Sequence, residues 1–158
     1  RHPGKLKALV LANTTSGYDA AGRAALQQRI QTVEQEGLEA VAEGTMARFF
    51  SEAFRASQTA AVQRHQRLLL ATDPEGYTAC AAALGEADMT ARLGQIRVPT
   101  LLLAGGEDTS TPPAGMQSMA AAMPHAECVT LPGCAHLSAV EQPWAFTDLV
   151  QAFIDQQG

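Results

Sequence analysis

Features of secreted, membrane and nucleic-acid-binding proteins are scarce in this sequence of 158 residues. Its three cysteines are an odd number and form no Cys-x-x-Cys pair, which argues against a disulfide framework and favours a reducing, cytoplasmic compartment. No apolar run reaches the ~18 residues of a membrane span, and no signal peptide is recognisable. The net charge of −5, without a run of like charges, favours neither a nucleic-acid partner nor an anionic membrane.

The composition that is present is that of an ordinary globular domain. Hydrophobic residues make up 46% of the chain, and 158 residues are enough to bury a core. Because the sequence begins with Arg1 rather than with an initiator Met, we expect the natural protein to extend further at its N-terminus.

Three short apolar segments are each followed by residues typical of turns, and we interpret them as strands. The first runs from Leu6 to Ala12, and the others are Thr100–Ala104 (TLLLA) and Glu127–Leu131 (ECVTL). Short apolar runs of this kind are typical of strands buried on both faces of a parallel sheet. Three such strands would leave apolar edges exposed, so we expect the chain to be incomplete and to associate or aggregate as an isolated fragment.

The chain between the first and second strands predicts only helices. Leu26, Ile30 and Val33 recur at helical spacing, and Gly37 is a suitable helix end. Further predicted helices cover residues 38–50, 62–69, 74–84, 91–96, 112–123 and the segment that begins at Pro143. Strands that alternate with helices favour an α/β fold in which crossover helices connect the strands of a parallel sheet.

Two residues with suitable chemistry follow the second and third predicted strands. Asp108 lies just past one strand end and His136 just past the next. Because ligands of parallel sheets bind beyond the carboxyl ends of the strands, we expect both side chains at the same edge of the sheet. There a carboxylate can accept from one imidazole nitrogen while the other faces a nucleophile. In the alternative interpretation, Asp108 caps the helix that follows Pro112 and His136 packs under Trp144.

The residues around both positions resemble α/β-hydrolases. The segment from Ile96 to Asp108 (IRVPTLLLAGGED) looks like the strand that bears their acid, and Leu131–Ser138 (LPGCAHLS) looks like their histidine loop. Within this superfamily the sequence is most similar to 3-oxoadipate enol-lactonases and related small esterases. Leu9–Thr14 (LVLANT) matches the strand after their nucleophile helix, so the resemblance covers the whole chain but only the C-terminal portion of such a protein.

The resemblance implies the C-terminal part of an α/β-hydrolase, with parallel strands, crossover helices and a helical lid, incomplete without the N-terminal strands. Residues 1–18 would form a core strand and its loop. Residues 19–88 would form the lid (cap) domain. Residues 89–158 would complete this part of the core and carry the acid and the histidine of a catalytic triad.

Carried over by motif, Asp108 would be the triad acid and His136 the general base. Glu107 competes for the acid role, but the family spacing counted from Gly105 selects Asp108. No Gly-x-Ser-x-Gly motif is present, although the nucleophile of this fold precedes the acid in the chain. Ser16 follows a strand but lacks the first glycine of that motif, so we expect a turn residue. The serine and the oxyanion hole are expected on an N-terminal segment, in the same protein or in a second chain.

Three residues are predicted to contact the substrate. Phe49 stands where enol-lactonases usually carry a lid tryptophan that helps to hold the substrate. This departure weakens the strict enol-lactonase assignment but not the hydrolase class. Arg48 is a candidate partner for a substrate carboxylate, with a solvated edge of the lid as the alternative. Leu137, next to the expected general base, is the third candidate.

A metal site is a further chemistry that the residue types suggest. His125, Cys128, Cys134 and His136 are potential zinc ligands, but their spacing matches no common site, and Cys128 falls inside a predicted strand. We therefore predict neither a metal nor a cofactor. Cys134 is expected to be a small, semi-buried residue, and His65 to pack within the lid.

The predicted function is the hydrolysis of a small-molecule carboxylic ester or lactone through a Ser-His-Asp triad, without a nucleic-acid or membrane partner. The chain would be inactive unless the N-terminal segment were supplied. Two alternatives stay open. One is a truncated hydrolase that acts as a non-catalytic binding or interaction module, and the other, within the same fold, is a carbon–carbon hydrolase or perhydrolase.

Overall fold

The computed structural model describes residues 3–158. It contains a parallel sheet of three strands. The strands are β1 (Leu9–Ala12), β2 (Thr100–Gly105) and β3 (Ala126–Leu131), in the order β1-β2-β3. The predicted α/β fold with parallel strands is therefore confirmed. The first strand is shorter than the apolar run from Leu6, and residues 1 and 2 of the predicted segment 1–18 lie outside the described residues.

Burial differs between the strands because only β2 has a neighbour on each side. All six residues of β2 are buried, whereas β1 and β3, each paired on one side only within residues 3–158, are mostly half-buried. Successive side chains of β2 point to opposite faces of the sheet. Leu102 packs in one apolar cluster with Met116, and Leu103 packs in another with Phe153.

Five helices form the block between β1 and β2. They are α1 (Ala20–Glu36), α2 (Glu39–Phe49), α3 (Glu52–Ser57), α4 (Thr59–Leu70) and α5 (Pro74–Glu86). Gly37 ends α1 as predicted, with a φ of 84° that favours glycine. Four helices were predicted here, and α3 was missed. Ser51 starts α3, because its side chain accepts a hydrogen bond from the backbone N–H of Phe54.

The remaining helices lie outside this block. They are α6 (Pro113–Ala121), α7 (Ser138–Glu141), α8 (Pro143–Asp155) and two short 3-10 helices, Pro3–Lys5 and Thr90–Gln95. The segment predicted as a helix over 91–96 is thus a 3-10 helix. Among residues 3–158, no helix combines the length and the apolar character that crossing a bilayer would require.

The end of β2 lies in close contact with the loop that follows β3. Replacing Gly105 by a residue with a Cβ would place that atom 2.0 Å from the carbonyl oxygen of Ala135. A glycine is therefore required at this position for the two loops to meet. Since the strands are parallel, the residues that follow β1, β2 and β3 all gather at this edge of the sheet.

Candidate active site

Asp108 lies in a tight turn after β2 and is 3% exposed. Its Oδ1 accepts hydrogen bonds from the backbone N–H groups of Ser110 (2.8 Å) and Thr111 (3.0 Å). Its Oδ2 accepts from the Thr111 hydroxyl (2.8 Å), the Asn13 amide (3.1 Å) and His136 Nδ1 (2.8 Å). Burial by itself would raise the pKa of this carboxyl, but the hydrogen bonds from His136, Thr111 and Asn13 outweigh it and lower the pKa to about 2. The group is therefore a carboxylate at neutral pH.

His136 completes an acid–imidazole pair with buried Asp108 at the edge of the sheet. Because ionised Asp108 only accepts hydrogen bonds, Nδ1 must carry a proton, and in the neutral ring Nε2 is the nitrogen with the free lone pair. The His136 side chain is 23% exposed, so the ring can be reached from outside the pair. Its other neighbour is Phe49, whose ring stacks on the imidazole with centroids 5.4 Å apart. A base oriented in this way is able to accept a proton from a hydroxyl.

The alternatives for these two residues have different outcomes. Asp108 accepts hydrogen bonds from the backbone N–H groups of its own turn, so it has a local structural role in addition to its contact with His136. The packing of His136 under Trp144 is wrong, since Trp144 is 83% exposed and Phe49 stacks on the ring instead. Glu107 is exposed, and its backbone N–H donates to Cys134.

Four residues whose side chains bond Asp108 or the loop that carries His136 were not predicted from the sequence: Asn13, Thr111, Ser138 and Glu141. Asn13 follows β1 directly, and a polar residue after a buried strand was the available signal. Thr111 lies three residues beyond Asp108, within reach of the same turn. The other two residues lie in the segment that resembles the histidine loop, where the motif alone did not indicate which side chains contact one another.

The helical block meets the loop that carries His136 through two sets of hydrogen bonds. The Leu137 N–H donates to the carbonyl oxygen of Phe49, at the end of α2, over 2.9 Å. The Glu141 carboxylate accepts from the backbone N–H groups of Ala135 (2.7 Å) and Ser51 (3.2 Å) and from the Ser51 hydroxyl. Phe49 and Leu137, two of the predicted substrate contacts, therefore lie together beside His136.

Arg48 faces a different space, a cavity of about 500 Å³ between the helical block and the loops that follow β1 and β2. Arg29 and Thr111 also line this cavity, which links it to the Asp108 turn. Burial, followed by the nearby charge of Arg29, lowers the pKa of Arg48 below its usual value. Two neighbouring guanidinium groups make this cavity attractive to an anion.

The other nucleophile and metal candidates have structural contacts. The Ser16 hydroxyl is hydrogen-bonded to the Thr90 hydroxyl at 2.8 Å, and neither side chain is among the hydrogen-bond partners of Asp108 or His136 within residues 3–158. Cys134 is buried and donates to the carbonyl oxygen of Leu131. Burial, together with the charge of Glu141, raises the pKa of this thiol to about 11, so it is not a thiolate at neutral pH. Within residues 3–158 no group of three or more His, Cys, Asp or Glu side chains is arranged to hold a metal ion.

Comparison with known proteins gives consistent matches. A family model described as the alpha/beta hydrolase family matches residues 5–147. The chain is 33% identical over 150 residues to 3-oxoadipate enol-lactonase 2 of Acinetobacter baylyi, covering 95% of this chain and 55% of the lactonase. The enol-lactonase from Burkholderia xenovorans LB400 superposes with a TM-score of 0.93 at 26% identity, over 98% of this chain and 58% of that one.

A hydrolase from Pseudomonas aeruginosa PA01 also superposes, with a TM-score of 0.88 at 35% identity. This match covers 96% of the present chain and 57% of that protein. The chain therefore spans little more than half the length of the relatives that it matches. The residues matched by the family model, 5–147, contain the whole helical block and the edge of the sheet where Asp108 and His136 lie.

Proposed function

The chain belongs to the alpha/beta hydrolase family, and on that premise we propose that it supplies the acid and the base of an enzyme that cleaves a carboxylic ester or lactone. The observation that carries the proposal is the hydrogen bond of 2.8 Å between His136 Nδ1 and the buried carboxylate of Asp108. The pair lies beyond the carboxyl ends of parallel strands, where the ligands of such sheets bind.

In the proposed mechanism a serine outside these 158 residues attacks the carbonyl carbon and forms an acyl-enzyme. His136 takes the serine proton at Nε2, donates it to the leaving oxygen, and then activates water for deacylation. Asp108 holds the imidazole in the required tautomer and stabilises the imidazolium. The segment with the serine and the oxyanion hole belongs to the same protein or to a second chain, and without it we expect no hydrolysis.

The substrate contacts divide between two places. Phe49 and Leu137 would form an apolar wall at the imidazole, since the Phe49 ring stacks on His136 and the Leu137 N–H bonds the Phe49 carbonyl. Arg48, with Arg29 in the same cavity, would attract a carboxylate on the substrate. Two of the curated relatives are named 3-oxoadipate enol-lactonases. A small ester or lactone that carries a carboxylate is therefore the substrate class that we propose.

The proposal needs no cofactor, nucleic acid or membrane as a partner. We place the protein in the cytoplasm, because Cys80, Cys128 and Cys134 are all unpaired and would stay reduced there.

The decisive experiment is His136→Ala in the protein that contains the proposed serine segment. We expect kcat on a p-nitrophenyl ester to fall by ~10³-fold or more, because the general base is lost. His125→Ala is the matched control, since His125 is exposed, and we expect it to keep wild-type kcat. Wild-type turnover in His136→Ala, or esterase activity of the 158 residues alone, would contradict the proposal. An intact protein that binds esters but never turns them over would favour the non-catalytic module.

A further inference from the structure

We propose that Asn13 is a positioning residue that holds the Asp108 turn and the His136 loop at a set distance from each other. This inference deepens the proposed function, since it concerns the same acid–imidazole pair. Asn13 itself reaches neither imidazole nitrogen and acts through the groups on both sides of it.

The backbone of Asn13 is held in an uncommon conformation. It follows the last residue of β1, and its N–H donates to the carbonyl oxygen of Leu103 over 2.8 Å, one step beyond the β1–β2 pairing. Its φ of 44° lies in the left-handed region, and among residues 3–158 it is the one residue other than glycine with a positive φ. Such a conformation persists when surrounding contacts stabilise it, and asparagine tolerates it better than most side chains.

The side chain of Asn13 bonds three groups in two distant loops. Nδ2 has two hydrogens, and its two acceptors are Asp108 Oδ2 at 3.1 Å and the carbonyl oxygen of Ala135 at 3.2 Å. Oδ1 accepts from the hydroxyl of Ser138. The orientation of the amide follows from this chemistry, because a carboxylate and a carbonyl oxygen only accept, and they must therefore face Nδ2.

The groups that Asn13 bonds in this loop lie on both sides of His136 in the sequence. Ala135 precedes the histidine, Ser138 follows it by two residues, and Asp108 accepts from its Nδ1. Asn13 thus connects the carboxylate and the backbone that carries the imidazole. A shift of either loop would stretch one of the two Nδ2 bonds, so the side chain sets the distance on which the Asp108–His136 bond depends.

Thr111 provides an internal comparison. Its hydroxyl donates to the same Oδ2 of Asp108 at 2.8 Å and lies 3.4 Å from His136 Nδ1. It is three residues from Asp108 in the same turn. Asn13, in contrast, donates to Asp108 and also bonds Ala135 and Ser138 in the loop of His136. Loss of the Thr111 hydroxyl therefore removes a donor from the carboxylate and a long contact with Nδ1, but it leaves the bonds of Asn13 to both loops in place.

The first test measures the His136 imidazole by ¹⁵N NMR in the protein that contains this chain. Asn13→Gly accommodates the positive φ and removes only the side chain. We expect the Nδ1 proton of His136 to exchange with water at least about tenfold faster, because the acceptor is no longer held in place. Thr111→Val should change this exchange by less than about twofold. Equal effects of the two variants, or no effect of Asn13→Gly, would overturn the inference.

A second variant covers the case in which Asn13→Gly does not fold. Asn13→Asp keeps the shape and tolerates the same φ, but at a pH where both carboxyls are ionised its oxygens cannot donate to Asp108 or to Ala135. We expect faster exchange here too, with an upward shift of the Asp108 pKa in a ¹³C carboxyl titration because a like charge faces it. Native exchange in Asn13→Asp would overturn the inference, since a residue that only fills space would tolerate this change.

The kinetic arm separates this inference from the proposed function. In the active enzyme, Asn13→Gly should lower kcat about tenfold and leave KM within about twofold, because orientation of the base is lost while substrate contacts stay. If the wild type hydrolyses no ester, the proposed function fails while the NMR result still decides the role of Asn13. If the wild type is active and Asn13→Gly has the same kcat as the wild type, the inference about Asn13 fails while the proposed function stands.

Discussion

The edge of the sheet and the helical block are built by different kinds of contact. At the edge, the side-chain hydrogen bonds of Asn13 span 95 to 125 positions of the chain. In the block, typical side-chain bonds span four, as from Thr45 to Val41 or from Ser57 to Ala53. Asp108 is buried, whereas α3 and α4 contain no buried residue.

This contrast indicates which region tolerates change. A loop at the edge of the sheet cannot move without disturbing another, because Asn13 and His136 are bonded to side chains of distant loops. A helix of the block keeps its own local bonds when its outer face is altered. The outer face of the block can therefore vary while the acid–imidazole pair keeps its geometry. Phe49, Ser51, Leu137 and Glu141 form the junction between the two regions.

The largest effect at the edge of the sheet is expected from replacing Asp108. Asp108→Asn should lower kcat by ~10³-fold, because a neutral amide neither stabilises the imidazolium nor enforces the Nδ1–H tautomer of His136. Glu107→Gln is the matched control and should stay within about threefold of wild type, since Glu107 is exposed. The measurement is steady-state esterase kinetics of the active protein. The reverse ranking would transfer the acid role to Glu107.

The junction is tested by Glu141→Gln. The Glu141 carboxylate accepts from three donors, and an amide would turn its NH₂ group toward at least one of them. We expect the free energy of unfolding to fall by about 2–3 kcal/mol, measured by urea denaturation. Glu127→Gln changes an exposed carboxylate in the same way and should cost less than about 0.5 kcal/mol. Equal costs would mean that the two regions are joined by other contacts.

Acid should weaken the sheet edge through Asp108. Its pKa falls from 3.8 to about 2 on folding, which corresponds to about 2 kcal/mol at 1.36 kcal/mol per unit. Because the folded value is the lower one, this stability is fully present above about pH 4 and is lost as the pH falls toward 2. Urea denaturation of wild type and Asp108→Asn at pH 5 and pH 2.5 measures it. The difference between the two proteins should shrink at the lower pH, and a constant difference would contradict the assignment.

What could be predicted from the sequence follows the same division. Local signals predicted the helix that ends at Gly37, and strand ends followed by Asp108 and His136 predicted the pair. The contacts of Asn13 could not be predicted, since they depend on how three loops approach one another. The apolar run of β1 likewise does not reveal that β2, from the far end of the helical block, pairs beside it. Both failures concern tertiary neighbours rather than local conformation.

The smallest effect is expected on the outer face of the block. Leu68 in α4 is 58% exposed, so Leu68→Lys removes little buried surface and keeps a good helix former. The free energy of unfolding should change by less than about 0.5 kcal/mol. Leu102→Ala is the contrasting variant, since Leu102 is fully buried in β2, and it should cost about 2–5 kcal/mol. If Leu68→Lys proved as costly as Leu102→Ala in urea denaturation, this face of α4 would be covered in the protein, and the block could not vary independently of the sheet.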